Sequence, residues 1–237
     1  MKLLAIDTSG PVCGVAVMND KGICYECSTQ NKLTHSVNLM PMIDEALSSS
    51  GLTLADLDRI ALVTGPGSFT GVRIGVSTVK GLAHGCGKPC VAVDALEAMA
   101  HGVGEFAGII CPIQDARAGQ VYGAAFSGDA DHERLLPDTP MKLEEYVEAI
   151  QSIGDRFLFV GDGMPVHRAR LQAMLGESAV MAAPHLSFLR PATVAYLGAR
   201  ATEELDYLSL QPLYLRAPNA ERNKKLLTAM AQQGTAE

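Results

Sequence analysis

The hydrophobic pattern of this chain runs through one order of elements twice, and that repetition restricts the fold more than any other feature. In the first pass, apolar runs at residues 3–6, 13–18 and 23–28 read as strands, with Asn19-Asp20-Lys21-Gly22 as the hairpin turn before the third. The period then changes. Leu39, Met40, Ile43, Ala46 and Leu47 recur at helical spacing across 35–47, with Thr34 placed to cap the start and Gly51 to stop the helix. Pro41 lies beyond the first turn, which predicts a kink. A strand at 60–64, a helix at 70–84, a strand at 90–93 and a short helix at 95–101 complete the pass.

The second pass reads strands at 108–113, 120–126 and 132–136, then a helix at 141–150, a strand at 157–160, a helix at 166–175, a strand at 179–181 and a helix at 192–204. Three strands, helix, strand, helix, strand, helix, occurring twice, predicts two α/β lobes. The expected division is a first lobe at 1–104 and a second at 105–190. A helix within 191–206 should pack back on the first lobe, and 207–237 should be an extended, partly mobile tail carrying Arg216, Arg222, Lys224 and Lys225.

Composition removes several classes of function. Apolar residues make up 48% of the 237, enough to bury a core, and the mean hydropathy is +0.14. A formal charge of −7 argues against gripping nucleic acid by bulk electrostatics, because each neutralised phosphate needs a Lys or Arg. Apolar residues 3–6 before Asp7 are too few for a signal-peptide core, and no run is long enough to span a membrane. Six cysteines without an export signal read as buried thiols, so the expected compartment is the cytoplasm.

Candidate chemistry concentrates at two turns. Asp7-Thr8-Ser9 closes the first strand, where an acidic residue beside hydroxyls could hold a metal-bound phosphate and the three residues together could form a nucleotide site; the alternative is that they only cap the turn. Gly65-Pro66-Gly67-Ser68-Phe69-Thr70-Gly71 joins a strand to a helix, where free N–H groups could receive an anion. It lacks the Gly-Lys-Ser/Thr end of a P-loop and the spacing of a dinucleotide fingerprint, although Asp94 lies 23 residues after Gly71. Gly161-Asp162-Gly163 reads as a tight turn that could also touch an adenosine. Cys24-x-x-Cys27 has no second cysteine pair, and His84, His101, His132, His167 and His185 are scattered, so neither zinc nor a His-Glu-x-x-His site is expected. No Gly-x-Ser-x-Gly nucleophile elbow is present.

Two helices suggest a partner. Gly71, Gly75 and Gly81 weaken the helix at 70–84, and small residues at that spacing admit another backbone, either within the lobe or from a second chain. Leu39, Ile43 and Leu47 form one stripe on the helix at 35–47, and Met40 and Met42 widen it beyond what one sheet needs.

Leu4-Ala5-Ile6-Asp7-Thr8-Ser9, His35-Ser36, residues 39–44, residues 65–75, residues 93–98 and Asp115-Ala116-Arg117 together resemble the bacterial TsaB family, also called YeaZ. The resemblance is dense over residues 1–125 and topological to about 205. It implies a duplicated actin-like, ribonuclease-H-like α/β fold of two lobes, each a mixed sheet with flanking helices. It also implies a non-catalytic partner and activator of the paralogue TsaD in the threonylcarbamoyl modification of adenosine 37 of tRNA. The ATPase TsaE joins that pair, and a homodimer forms in isolation through the same two helices. On that reading the interface would use His35, Leu39, Met40, Ile43, Leu47, Val72, Arg73, Gly75, Val76 and Val79. TsaD-like paralogues carry a His-x-x-x-His metal pair, and the matching places here are Ala95 and Met99, so the chain should require neither metal nor cofactor. ATP and metal then belong to TsaD and TsaE, and tRNA meets this chain only through the complex. The competing functions are an ATP-dependent phosphotransferase or ATPase using Asp7, Thr8 and Ser9, and a metallopeptidase-like hydrolase of the glycoprotease-homologue type.

Overall fold

The computed structural model describes residues 1–31 and 33–216. The first lobe contains β1 (Leu3–Asp7), β2 (Cys13–Asn19), β3 (Gly22–Thr29), α1 (His35–Ser49), β4 (Arg59–Gly65), α2 (Phe69–Cys86), β5 (Cys90–Asp94) and α3 (Ala95–Gly102). The second contains β6 (Ile109–Asp115), β7 (Gln120–Ser127), β8 (Arg134–Lys142), α4 (Leu143–Gln151), β9 (Phe157–Val160), α5 (Gly163–Leu175), β10 (Ala179–Met181) and α6 (Pro191–Arg200). The strand orders are β3-β2-β1-β4-β5 and β10-β9-β6-β7-β8. Reversing the second list gives the first. In each sheet the first three strands are antiparallel neighbours and the last two join in parallel.

Each sheet has an outer and an inner face because side chains alternate along a strand. Leu4 and Ile6 of β1 and Val15 of β2 point outward to Leu39, Ile43 and Leu47 of α1 and Val72, Val76 and Val79 of α2, forming one apolar cluster. Leu3, Ala5 and Ala61 point inward, into a second cluster that runs through both lobes. The lobes exchange their last helices across this inner region. α6 packs on β1, β2 and β4 of the first lobe, while α3 packs on β6 and β7 of the second. Gly198 permits the α6 contact, since a Cβ there would lie 2.5 Å from Cβ of Ala61.

Several boundaries differ from the pattern. The third strand of the second lobe runs over Arg134–Lys142 and contains Pro137 and Pro140. It lies at the sheet edge, where a missing N–H breaks no ladder. The helix expected at 192–204 ends at Arg200 because Nη1 of Arg59 donates to the carbonyls of Gly198 (3.2 Å) and Ala201 (3.0 Å), capping its last turn. Leu205 then pairs with Cys90 at the edge of β5. α1 is one helix through Pro41, and Thr34 occupies its N-cap without a side-chain bond.

Residues 207–216, expected to begin a mobile tail, are instead strapped along α2. His84 lies against Tyr207, Nζ of Lys80 donates to the carbonyl of Leu208 (3.2 Å), Leu210 is fully buried, and the Leu213 N–H donates to Thr64 (2.8 Å). Arg216 Nη1 then donates to the carbonyl of Ala116 (3.1 Å) in the second lobe. The expectation for 217–237, with Arg222, Lys224 and Lys225, lies outside the described residues.

Candidate functional site

The duplicated topology brings the ends of β1, β4, β6 and β9 to one side, with Asp7, the 65–71 turn, Asp115 and the 161–163 turn around the cleft between lobes. Asp7 is almost completely buried, and that burial pushes its carboxyl up to about 6, eased by the Ser9 N–H that donates to Oδ1 (2.8 Å) and by the charge of His35. Asp162 is also raised to about 6, first by burial and then by the charges of Asp115 and Asp7. Both amide atoms of the buried Gln114, next to Asp115, and Oδ1 of Asp162 have no hydrogen-bond partner among the described residues. The cleft floor is therefore polar and acid-rich.

The glycine turn leaves little room above that floor. The Ser68 N–H donates to the carbonyl of Ser9 (2.7 Å), the Gly71 N–H to Oγ of Ser68 (3.3 Å), and the Val72 N–H to the carbonyl of Ser68 (2.9 Å). Thr8 Oγ1 donates in turn to the carbonyl of Gly71 (2.8 Å). A Cβ would come within 2.3 Å of Ser9 O at Gly67, 2.1 Å of Thr8 O at Gly71 and 2.4 Å of Thr8 Oγ1 at Gly75. So the glycines admit the 7–9 turn of the same lobe, and the N–H groups of residues 68, 71 and 72 are engaged within the chain. Thr8 and Ser9 act as a clasp between β1 and α2. With three of its N–H groups spent within the chain, the turn fits a phosphate poorly.

A metal fits no better. Ala95 and Met99 are buried on α3 among apolar neighbours, and Met99 Sδ lies 3.1 Å from where a Cβ of Gly161 would stand. Neither side chain supplies a ligand for a hard catalytic cation. Asp94, beside them, caps α3 by accepting from the Glu97 N–H (2.8 Å) and faces Arg134 of β8 (3.3 Å). All six cysteines are free thiols, and Cys24 donates to the carbonyl of Val17 (3.3 Å). Among the described residues no cluster of three His, Cys, Asp or Glu side chains could hold an ion.

The outer surface of α1 and α2 is different in character. Val37 (57% exposed) and Met40 (48%) stand in solvent, with Leu33 (56%) just before the helix. Beside them, on α2, lies a recess of about 500 Å³ lined by residues of both helices.

The chain also matches known proteins. The family model described as TsaD, tRNA N6-adenosine threonylcarbamoyltransferase, matches residues 29–224. The tRNA threonylcarbamoyladenosine biosynthesis protein TsaB of Bacillus subtilis (strain 168) is 35% identical over 93% of this chain and 96% of its own length. The protein of the same name from Haemophilus influenzae is 31% identical over 91% and 94%. The chain belongs to the TsaB family. Its fold is the duplicated actin-like fold of YeaZ from Pseudomonas aeruginosa, whose solved structure superposes with a TM-score of 0.74 at 25% identity, covering 90% of this chain and 99% of that one. A second Pseudomonas aeruginosa structure, described as similar to peptidase YEAZ, gives 0.76 at 24% identity over 91% and 99%. The family's biosynthetic setting is tRNA threonylcarbamoyladenosine. No described helix is long and apolar enough to cross a membrane.

Placement of the interface candidates requires a correction. Leu39, Ile43, Leu47, Val72, Val76 and Val79 are buried in the outer core of their own lobe. Gly75 faces Thr8 and Leu62, not another chain. His35 is half-buried, and its Nε2 hydrogen-bonds the carbonyl of Gly10 (2.9 Å), tying α1 to the β1–β2 turn. Only Met40 and Arg73 of that set are exposed. Val37 and the hydroxyls around Arg73 share that exposed side, which the sequence pattern does not mark out, because an apolar stripe at helical spacing reads the same whether it meets its own sheet or a neighbour. The signal that separates the two, Val37 and Met40 lying off the main stripe at three-residue spacing, was in the sequence.

Proposed function

We propose that this chain is the accessory subunit of a threonylcarbamoyl transfer complex: it binds a TsaD-type transferase and favours its competent conformation during modification of adenosine 37 of tRNA. The observation that carries this reading is the pair Ala95 and Met99, buried apolar contacts at the places where the resemblance puts the transferase's metal pair. The glycine turn supports it, since three of its N–H groups are bonded within the chain. The chemistry, the ATP and the metal then belong to TsaD and the ATPase TsaE, in the cytoplasm, and tRNA contacts arise through the complex. This chain contributes differential affinity for one conformation of its partner.

The docking face is the outer side of α1 and α2, carried by Val37, Met40, Arg73 and Ile74, and the same face serves a homodimer when the transferase is absent. Reconstitution with tRNA, threonylcarbamoyl-adenylate, TsaD and TsaE tests the reading. Omitting this chain should abolish modification. Val37→Glu places an unpaired charge in the contact and should weaken binding by at least about 30-fold while the monomer stays folded. Asp7→Asn should leave modification near the wild-type rate. A folded Asp7→Asn protein that binds TsaD yet stops modification would move the assignment to a phosphotransferase or ATPase centred on Asp7.

A further inference from the structure

Arg73 is built into the docking face in an unusual way for an exposed arginine. Its guanidinium carbon sits 3.8 Å from the centroid of the Phe69 ring and 5.6 Å from that of Tyr214, and the two rings are 5.0 Å apart. Nε donates to the Tyr214 hydroxyl at 2.6 Å. One edge of the guanidinium and the face over Phe69 are thus used within the chain. Among the described residues no carboxylate pairs with Nη1 or Nη2. Stacking restricts the rotamers of a long side chain before any partner arrives, and the fork that remains is shaped for a carboxylate.

The recess beside it has matching chemistry. Ser36, Thr70, Ser77 and Thr78 bring four hydroxyls, Phe69 and Ile74 supply apolar walls, and Arg73 is the only charged residue of the lining among the described residues. One cation with hydroxyl donors balances a single negative charge. A phosphate group carries up to two charges and would call for further cations, and the described residues of the lining supply none. Tyr214 is held in place by the strap, through Leu213 on Thr64 and Arg216 on Ala116.

We propose that Arg73 is the specificity anchor of the docking face, taking the carboxylate of an aspartate or glutamate side chain of the partner chain into this recess, with residues 205–216 as the strap that fixes its orientation. The proposal rests on the docking reading above and adds its charge chemistry. It makes Arg73 a contact residue and Tyr214 a positioning residue.

The test titrates the full chain against the purified TsaD-type transferase by calorimetry, each variant first checked for wild-type thermal unfolding. Arg73→Ala should weaken binding on the order of 30-fold or more, in the range of interface hot spots. Arg73→Lys keeps the charge but loses the fork and the stack, and should recover only part of the loss. Tyr214→Phe keeps the ring and removes the acceptor, and should cost roughly 3-fold to 10-fold. Arg73→Glu should be rescued by a Lys or Arg in place of one partner carboxylate. A folded Arg73→Ala protein that binds within twofold of wild type overturns the proposal, even if Val37→Glu abolishes binding and so upholds the docking face. If Arg73→Ala weakens binding while Val37→Glu does not, the anchor stands and the apolar face is misplaced. Competition by millimolar inorganic phosphate with none by acetate would overturn the carboxylate assignment.

Discussion

The outer helix pairs of the two lobes occupy equivalent places in a repeated topology, yet their surfaces differ. α1 and α2 carry Val37, Met40 and Ile74 around a hydroxyl-lined recess, with one oriented arginine. α4 instead exposes Glu144, Glu145 and Glu148, and its Glu144 pairs with Arg170 of α5 across the surface. Val166 is the most exposed apolar side chain on α5, and Arg168 and Arg170 stand near it in sequence, so that face is mixed. Both pairs bury a comparable stripe against their own sheet: Leu39, Ile43 and Leu47 in one, Leu143, Tyr146, Val147 and Ile150 in the other. Duplication therefore preserved what holds each lobe together, while the solvent-facing side of one pair took on the features of a contact surface.

The largest test of this division is Leu39→Glu. It removes a buried side chain and places a charge in the outer core of the first lobe, which should cost more than about 4 kcal/mol and leave little folded protein. Val37→Glu, two residues away but exposed, should leave the urea midpoint nearly unchanged. A folded Leu39→Glu monomer would break the comparison, since Leu39 would then be a contact residue.

Next comes the pair of buried acids at the cleft. An acid whose pKa is raised on folding binds more protons in the native state, so its contribution to stability is present below about 3.8 and is lost as pH rises toward 6. At roughly 1.4 kcal/mol per unit, Asp7 accounts for up to about 3 kcal/mol. His101, lowered to about 4 by burial and by the charges of His132 and Arg200, acts in the opposite sense, losing stability as pH falls from 6.5 to 4. The difference between Asp7→Asn and wild type isolates the acid: the variant should gain stability between pH 4 and 7 and show a flatter slope there. Urea unfolding at several pH values measures it, and an unchanged slope would mean that Asp7 titrates normally.

Glycine substitutions on α2 should split by sign. Gly71→Ala drives a Cβ into the Thr8 carbonyl and should cost about 2 kcal/mol or more, whereas Gly81 has open space and its change to Ala should stabilise by up to about 1 kcal/mol. Thermal unfolding of the two proteins side by side decides it. The smallest effect belongs to the second lobe, where Arg170→Ala removes an exposed ion pair and should shift stability by less than about 1 kcal/mol. The same variant should leave partner binding unaltered, and a loss of binding would bring the α4–α5 surface into the interface.

Much of this architecture was legible in the residues themselves. The order of strands and helices follows from apolar periods near 2 and 3.6 punctuated by Asn-Asp-Lys-Gly and Gly-Pro-Gly turns, and those signals are local. Where they failed, a distant residue intervened. Arg59, on β4, ended α6 early, and Thr8, on the β1–β2 turn, explains Gly71 and Gly75. The strap was unreadable because its anchors, Thr64, Arg73, Lys80, His84 and Ala116, are far from it in sequence.

By itself the sequence determined the repeated α/β order, the absence of metal-ligating side chains at residues 95 and 99, and the membership of the TsaB family. Only the tertiary structure decided which apolar stripe faces the chain's own sheet and which stands in solvent. It also decided that α3 and α6 cross to opposite lobes, and that Arg73 is stacked on Phe69 and bonded to Tyr214. The physical reason is that periodicity records a face but not what covers it. Burial of apolar surface has no preferred direction, so Leu39 against β2 and Leu39 against a partner would leave the same trace in the residues.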